Sequence, residues 1–233
     1  MSGTLYGIGL GPGDAELMTL KAARLIGAAR VVAYPALAGG ESFARSIAAD
    51  LLADGVREIR IDVPMVVDRA PAQAAYDKAA DEITAMLETG LDVVVLCAGD
   101  PFFYGSFMYL YARLSGRFTV EVVPGVTSMT ASAAALGLPL AARNEVLSVI
   151  PGPLEDDALK ARIATADSLV IMKVGRHLER IRRVIDGLGL LDRAHYIERA
   201  SLAQEQRMAL EDAPQNAPYF SMILITKGTD PWL

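Results

Sequence analysis

The sequence is short of rings and of reactive side chains. Aromatic residues fill 6% of its 233 positions, Cys97 is the sole cysteine, and His177 and His195 are the only histidines. One thiol cannot close an intramolecular disulfide, which fits a reducing compartment. So few soft ligands would leave a zinc site to carboxylates, and no metal is expected. Basic charge is not in excess either. The 22 Lys and Arg against 28 Asp and Glu give a net charge of −6, whereas nucleic acid calls for a basic field that neutralises phosphates. Val122 to Ala142 is free of charge over 21 residues, long enough to cross a bilayer. Its glycines, prolines and hydroxyls make it a weak span, better read as a strand end, a turn and a helix. Met1-Ser2-Gly3-Thr4 shows neither the basic start nor the apolar run of a signal peptide, so a cytoplasmic protein without a membrane segment is expected.

What the chain does have is aliphatic bulk. Apolar residues make up 52% of the sequence and alanine alone supplies 37 positions, which excludes disorder and implies a core of small side chains. The length allows one large domain or two small ones.

Short β-branched runs alternate with helical patterns through the first half, as in a parallel sheet with helices on its faces. Strands are expected at Leu5–Leu10, Val31–Tyr34, Arg57–Ile61, Asp92–Cys97 and Thr119–Val123. Thr19 and Ser42 are placed to start helices, and Pro71 opens a long alanine-rich helix that Gly90 ends. The texture changes after Gly137-Leu138-Pro139. Beyond it, strands are expected at Val146–Ile150 and Ser168–Val174, helices at Glu155–Thr165 and Leu178–Leu188, and then a meander of antiparallel strands. The expected architecture is α/β: a five-stranded parallel domain over 1–142 and a smaller mixed α/β domain over 143–233.

Three glycine loops follow three of the expected parallel strands, at the edge where open α/β sheets bind ligands. The first is Gly7-Ile8-Gly9-Leu10-Gly11-Pro12-Gly13-Asp14. As a dinucleotide fingerprint it is incomplete, because the second strand ends in Val31-Val32-Ala33-Tyr34-Pro35 with no acid for a ribose. Pro12 also removes a backbone donor. The second loop, Ala98-Gly99-Asp100-Pro101-Phe102-Phe103-Tyr104-Gly105, brings a carboxylate to the edge, where Asp100 either serves a cation or caps the next helix. The third is Pro124-Gly125-Val126-Thr127-Ser128, with Thr127 or Ser128 as an ordinary helix cap. Together the loops favour a small-molecule site. No nucleophile accompanies them: Cys97 lies inside a strand, and neither histidine has a Ser or Cys motif to partner it.

In this order and spacing, the glycine loop, Gly99-Asp100-Pro101-Phe102-Phe103-Tyr104-Gly105 and Pro124-Gly125-Val126-Thr127-Ser128 resemble the tetrapyrrole methylase family. The resemblance covers essentially the whole chain. It implies two α/β domains with a cleft between them, a homodimer, and S-adenosylmethionine as methyl donor. The implied donor contacts are Ala98, Gly99, Asp100, Phe103, Thr127 and Ser128, with Met172 or Lys173 and Ala200 from the second half. Gly9, Gly11, Pro12, Gly13 and Asp14 are assigned to a tetrapyrrole trough, together with Tyr34 and Arg45. Val32-Ala33-Tyr34-Pro35 and Gly40-Glu41-Ser42-Phe43-Ala44 are most similar to the branch that methylates carbon 20 of precorrin-2 to give precorrin-3A in cobalamin biosynthesis. The same carbon of the cobalt-containing precursor is the alternative. An NAD-linked oxidoreductase is the reading from another class. Asp100 is expected to favour the cationic donor, and Tyr104 or the substrate's own nitrogens or carboxylates to accept the displaced proton. A polycarboxylate substrate on an acidic protein requires a local basic patch, sought among Arg24, Arg30, Arg45, Arg143, Lys173 and Arg199.

Overall fold

The computed structural model describes residues 1–64, 66 and 68–228. It divides into two compact units, Met1–Thr127 and Ser128–Leu233.

The first unit is built on β1 (Leu5–Gly9), β2 (Val31–Leu37), β3 (Arg57–Val63), β4 (Val93–Cys97) and β5 (Val120–Val123). They pair in parallel in the order β3-β2-β4-β1-β5. Alternate residues of one strand serve opposite faces, which is why the strands read as unbroken apolar runs. On β4, Val93, Val95 and Cys97 join the core beneath α3 (Ala70–Glu88) and α4 (Phe107–Leu114). Val94 and Leu96 join the core beneath α1 (Leu20–Gly27) and α2 (Phe43–Ile47). Helix starts follow the caps: Thr19 accepts from the Ala22 N–H at 3.1 Å and Ser42 from the Arg45 N–H at 3.2 Å. Because all five strands run the same way, every loop after a strand lies on one edge. The chain leaves β1 toward β2 on one side and leaves β4 toward β5 on the other. The switch point of the sheet therefore falls between β1 and β4.

The second unit holds β6 (Leu147–Pro151), β7 (Ser168–Met172), β8 (Ala194–Glu198), β9 (Gln206–Ala209) and β10 (Ser221–Thr226) in the order β6-β7-β10-β8-β9. β6 and β7 pair in parallel and the other described neighbours pair antiparallel, so the sheet is mixed. The expected meander is corrected here: β10 inserts between β7 and β8. Its run Ser221–Ile225 is buried throughout, which suits a central strand and not an edge. One face packs on α6 (Asp156–Thr165) and α7 (Leu178–Asp186). The other packs on α5 (Ser128–Leu136), with Ala133 and Met129 against Val170, Ile197, Met222 and Leu224. This packing assigns α5 to the second unit, whereas the division expected at 142 and 143 falls after that helix.

Candidate active site

In the first unit the three glycine loops meet backbone to backbone. The Gly99 N–H donates to the Gly11 carbonyl at 2.7 Å and the Gly11 N–H to the Gly99 carbonyl at 3.2 Å, a two-residue bridge across the switch point. A Cβ on Gly9 would stand 2.5 Å from the Gly125 nitrogen and 2.6 Å from its Cα, far inside contact distance. These glycines are thus required by one another. Gly99 differs: its φ is +72°, yet a Cβ there would meet nothing within 4 Å. The space before Gly99 is open, and Ala98 beside it is exposed. Thr127 and Ser128 are half-buried after β5, and Ser128 is the first residue of α5.

Asp100 fastens this arrangement. One carboxylate oxygen accepts from the Phe102 and Phe103 N–H groups at 2.9 and 3.1 Å. The other accepts from the Gly125 N–H at 3.0 Å. Sequence reasoning offered a cation partner or a cap, and the structure adds a third role, a tie between the loops after β4 and β5. The helix that follows starts at Phe107, and its cap position is Ser106. Tyr104 has a left-handed backbone, φ 55°, a ring 43% exposed, and an edge contact with Phe103 at 5.2 Å.

Gly9, Gly11 and Pro12 are buried, Gly13 is half-buried and Asp14 is exposed. Asp14 caps a short helical turn by accepting from the Glu16 N–H at 2.9 Å. The first long helix begins only at Leu20. The loop therefore does not open a helix, as a pyrophosphate cradle does, and its Gly11 N–H is already used.

Tyr34 and Arg45 come together on a residue that the sequence did not mark. The Tyr34 hydroxyl donates to Glu58 at 2.5 Å, and Arg45 grips both Glu58 oxygens at 2.9 and 3.0 Å. The Arg45 guanidinium, and then the Tyr34 hydroxyl, hold the Glu58 carboxyl below its ordinary range. Burial foremost, with Glu58 second, raises the Tyr34 phenol. Arg45 thus spends its bidentate face inside the protein, which weakens it as an anchor for substrate. Arg24 and Arg30 lie in and just after α1, before β2 begins, so Arg30 stands at the edge opposite the glycine loops. Arg143 is exposed between α5 and β6.

In the second unit β7 and β8 both run antiparallel to β10 and so point the same way. Met172 ends β7 with its side chain against the α5 face, and Ala200 packs on the same face. Lys173 follows with a left-handed backbone, φ 57°. Of the two candidates after β7, Met172 belongs to the apolar surface and Lys173 is exposed.

The thiol of Cys97 is buried and, chiefly through desolvation, pushed up to about 12; it donates to the Val95 carbonyl at 3.6 Å. It is a core residue, as its place in β4 implies. Among the described residues no group of three or more His, Cys, Asp or Glu could hold a metal ion, and no helix is long and apolar enough to cross a membrane.

The first unit is thus an α/β unit with three glycine loops gathered at the ligand edge of a parallel sheet, and the second is an α/β unit on a mixed sheet. Residues 4–214 match the model of the Tetrapyrrole (Corrin/Porphyrin) Methylases, and the chain belongs to that family. It is similar to the precorrin-2 C(20)-methyltransferase of Sinorhizobium sp, 41% identical over 98% of this chain and 97% of that one. It is also similar to the cobalt-precorrin-2 C(20)-methyltransferase of Salmonella typhimurium, 34% identical over 97% and 98%. The cobalamin biosynthesis protein CobIJ of Mycobacterium tuberculosis is 43% identical over 97% of this chain, but the chain spans only 46% of that protein's length. Among solved structures, uroporphyrin-III C-methyl transferase from Thermus thermophilus complexed with S-adenyl homocysteine aligns with a TM-score of 0.68 and 28% identity, over 95% and 97% of the two chains.

Proposed function

We propose that this chain transfers the methyl group of S-adenosylmethionine to carbon 20 of precorrin-2, giving precorrin-3A. The observation that carries the reading is the end-to-end similarity to the Sinorhizobium enzyme of that name. The cobalt-containing precursor is the second reading, supported by the lower identity to the Salmonella enzyme.

The site's residues fit such a donor. Open space before Gly99, the exposed Ala98 and the half-buried Thr127 and Ser128 offer backbone and hydroxyl groups at a sheet edge. Asp100, Phe103, Met172, Lys173 and Ala200 complete the proposed donor contacts. The donor supplies an electrophilic methyl on a sulfonium, and the acceptor carbon is already electron-rich, so the protein's part is alignment and exclusion of water. Alignment of this kind contributes roughly 7–11 kcal/mol. The Asp100 carboxylate keeps negative charge beside the donor while holding the loops in register. The methyl replaces a proton on the acceptor carbon, and Tyr104 or the macrocycle's own nitrogens or carboxylates take that proton. Gly9, Gly11, Pro12, Gly13, Asp14, Tyr34 and Arg45 are proposed for the acceptor's side. A homodimer, a cytoplasmic location and the absence of a resident metal belong to the same reading.

Calorimetry with S-adenosylhomocysteine and NADH separates this from an oxidoreductase. Micromolar binding of S-adenosylhomocysteine with none of NADH is expected, and the reverse pattern would sink the methyltransferase reading.

A further inference from the structure

At the edge where the strands of the first sheet begin, opposite the glycine loops, lies a cavity of about 250 Å³. The sequence explains the void. The end of α1 and the residues after it read Leu25-Ile26-Gly27-Ala28-Ala29. Ile26 is buried in the core, and the small residues that follow bring too little bulk to cover the entry of β1 and β4. Leu25, Leu91, Val94 and the ring of Tyr6 form apolar walls. Tyr6 and Val94 stand opposite each other in the parallel register, on the face that carries α1.

The cavity also holds opposite charges that do not meet. Arg30 precedes β2 and Asp92 precedes β4, each two residues before the paired Val32 and Val94, so their backbones enter about one strand spacing, about 5 Å, apart. Both line the cavity, yet among the described residues no ion pair joins them. One Asp92 oxygen, Oδ1, accepts from the Thr4 N–H at 2.7 Å, and the other has no partner among the described residues. The Arg30 guanidinium and the Tyr6 hydroxyl likewise have none. Ala28 and Ala29 bring the carboxyl end of α1 to the cavity, where last-turn carbonyls leave partial negative charge.

The neighbouring charges do not tip this balance to one sign. Lys21 of α1 pairs with Glu121 of β5, and Glu88 at the end of α3 pairs with Arg117. Arg24 and Arg57 are exposed, as are Asp50 and Asp54 in the chain leading to β3. The Met1 carbonyl passes Gly90, which brings the amino end of the chain to the same edge. A polyanion site gathers one sign of charge; this cavity presents both, beside an apolar wall. Its volume lies below the roughly 300–1,000 Å³ of sites that enclose drug-sized ligands, which sets the occupant at amino-acid size.

We propose that this cavity binds a free α-amino acid with an apolar side chain. The carboxylate lies on Arg30, the ammonium toward Asp92 and the end of α1, and the side chain against Tyr6, Leu25 and Val94. A guanidinium takes a carboxylate through two parallel hydrogen bonds, and the unused Asp92 oxygen is the acceptor that an ammonium requires. The site lies on the edge of the sheet away from the glycine loops and goes beyond the methyl-transfer reading.

The probe is L-phenylalanine, titrated into the isotopically labelled full chain and followed by amide NMR shifts. A Kd of about 1 mM is expected from ordinary ligand efficiency, with shifts gathered from Leu25 to Arg30 and from Leu91 to Val94. Phenylacetate, which lacks the ammonium, and phenethylamine, which lacks the carboxylate, should each bind about tenfold more weakly, as for a lost charged hydrogen bond. Arg30→Gln should weaken L-phenylalanine about tenfold and leave phenethylamine unchanged. Asp92→Asn keeps an oxygen for the Thr4 N–H; it should weaken L-phenylalanine and leave phenylacetate unchanged. This crossed pattern separates a lost contact from a damaged fold. The proposal is overturned by the absence of cavity shifts in the parent at about 10 mM L-phenylalanine, by shifts confined to the glycine loops, by either analogue binding as tightly as L-phenylalanine, or by unchanged affinity in both folded variants. Neither donor nor acceptor enters the titration, so the methyl-transfer reading stands or falls separately.

Discussion

Asp100 shows how one side chain can serve geometry and charge together. Its two oxygens take three backbone N–H groups from two loops. Asp100→Asn keeps an acceptor for Phe102 and Phe103 but turns an amide donor toward the Gly125 N–H. The loss of that one tie is expected to cost about 1–2 kcal/mol and to weaken S-adenosylhomocysteine binding, read by thermal melting and calorimetry. An unchanged donor affinity in the folded variant would confine Asp100 to a local turn. Glu58 gives a pH signature. Its carboxyl is held below the ordinary glutamate range of about 4.3 by Arg45 first and Tyr34 second. A depressed folded value means stability that is fully present above the unfolded value and is lost as pH falls through the folded one. Melting temperature should therefore fall more steeply below about pH 4.3 in the parent than in Glu58→Gln, and parallel acid limbs would contradict this. The sequence names Tyr34 and Arg45 but hides Glu58. In Arg57-Glu58-Ile59-Arg60-Ile61-Asp62 the charges alternate like a solvated strand face, and only the register of Val32 opposite Glu58 brings the carboxylate toward Tyr34.

At the scale of elements, glycine loops are easy to find in a sequence and hard to interpret. Gly9 and Gly125 lie in two of the expected ligand loops, and each lets the other's backbone approach. Unlike Gly9 and Gly125, Gly99 combines a left-handed angle with open space in front of it. Gly125→Ala should thus destabilise the first unit by several kcal/mol, about the cost of an overpacked core, because the new methyl meets backbone that cannot step aside. Gly99→Ala should cost only about 1 kcal/mol of backbone strain while crowding the donor. Comparable melting temperatures for the two variants would contradict this division of roles. Strand positions were legible because β-branched runs bounded by Gly and Pro say where a strand starts and stops. The place of β10 between β7 and β8 was not, because no local pattern encodes which neighbours a buried strand selects. The membership of α5 was hidden for a similar reason: its contacts with Val170, Ile197 and Met222 come from distant sequence.

For the whole molecule, the scarcity of Cys and His and the net charge of −6 take on meaning beside the family to which the chain belongs. Methyl transfer from a sulfonium to an electron-rich carbon needs no nucleophile of the protein's own. An acidic surface is compatible with an anionic acceptor where cations are gathered locally. The family was legible from three short motifs because their spacing joins separate strands at one edge. The acceptor's metal content was not, since no residue pattern in the chain reports on an atom at the centre of a macrocycle. The most direct measurement is anaerobic incubation of the protein with precorrin-2 and S-adenosylmethionine carrying a labelled methyl group, followed by mass spectrometry and carbon NMR of the tetrapyrrole. Gain of one labelled methyl at carbon 20 is expected. A tetrapyrrole that gains no label, whether offered metal-free or with cobalt, would contradict the proposed function.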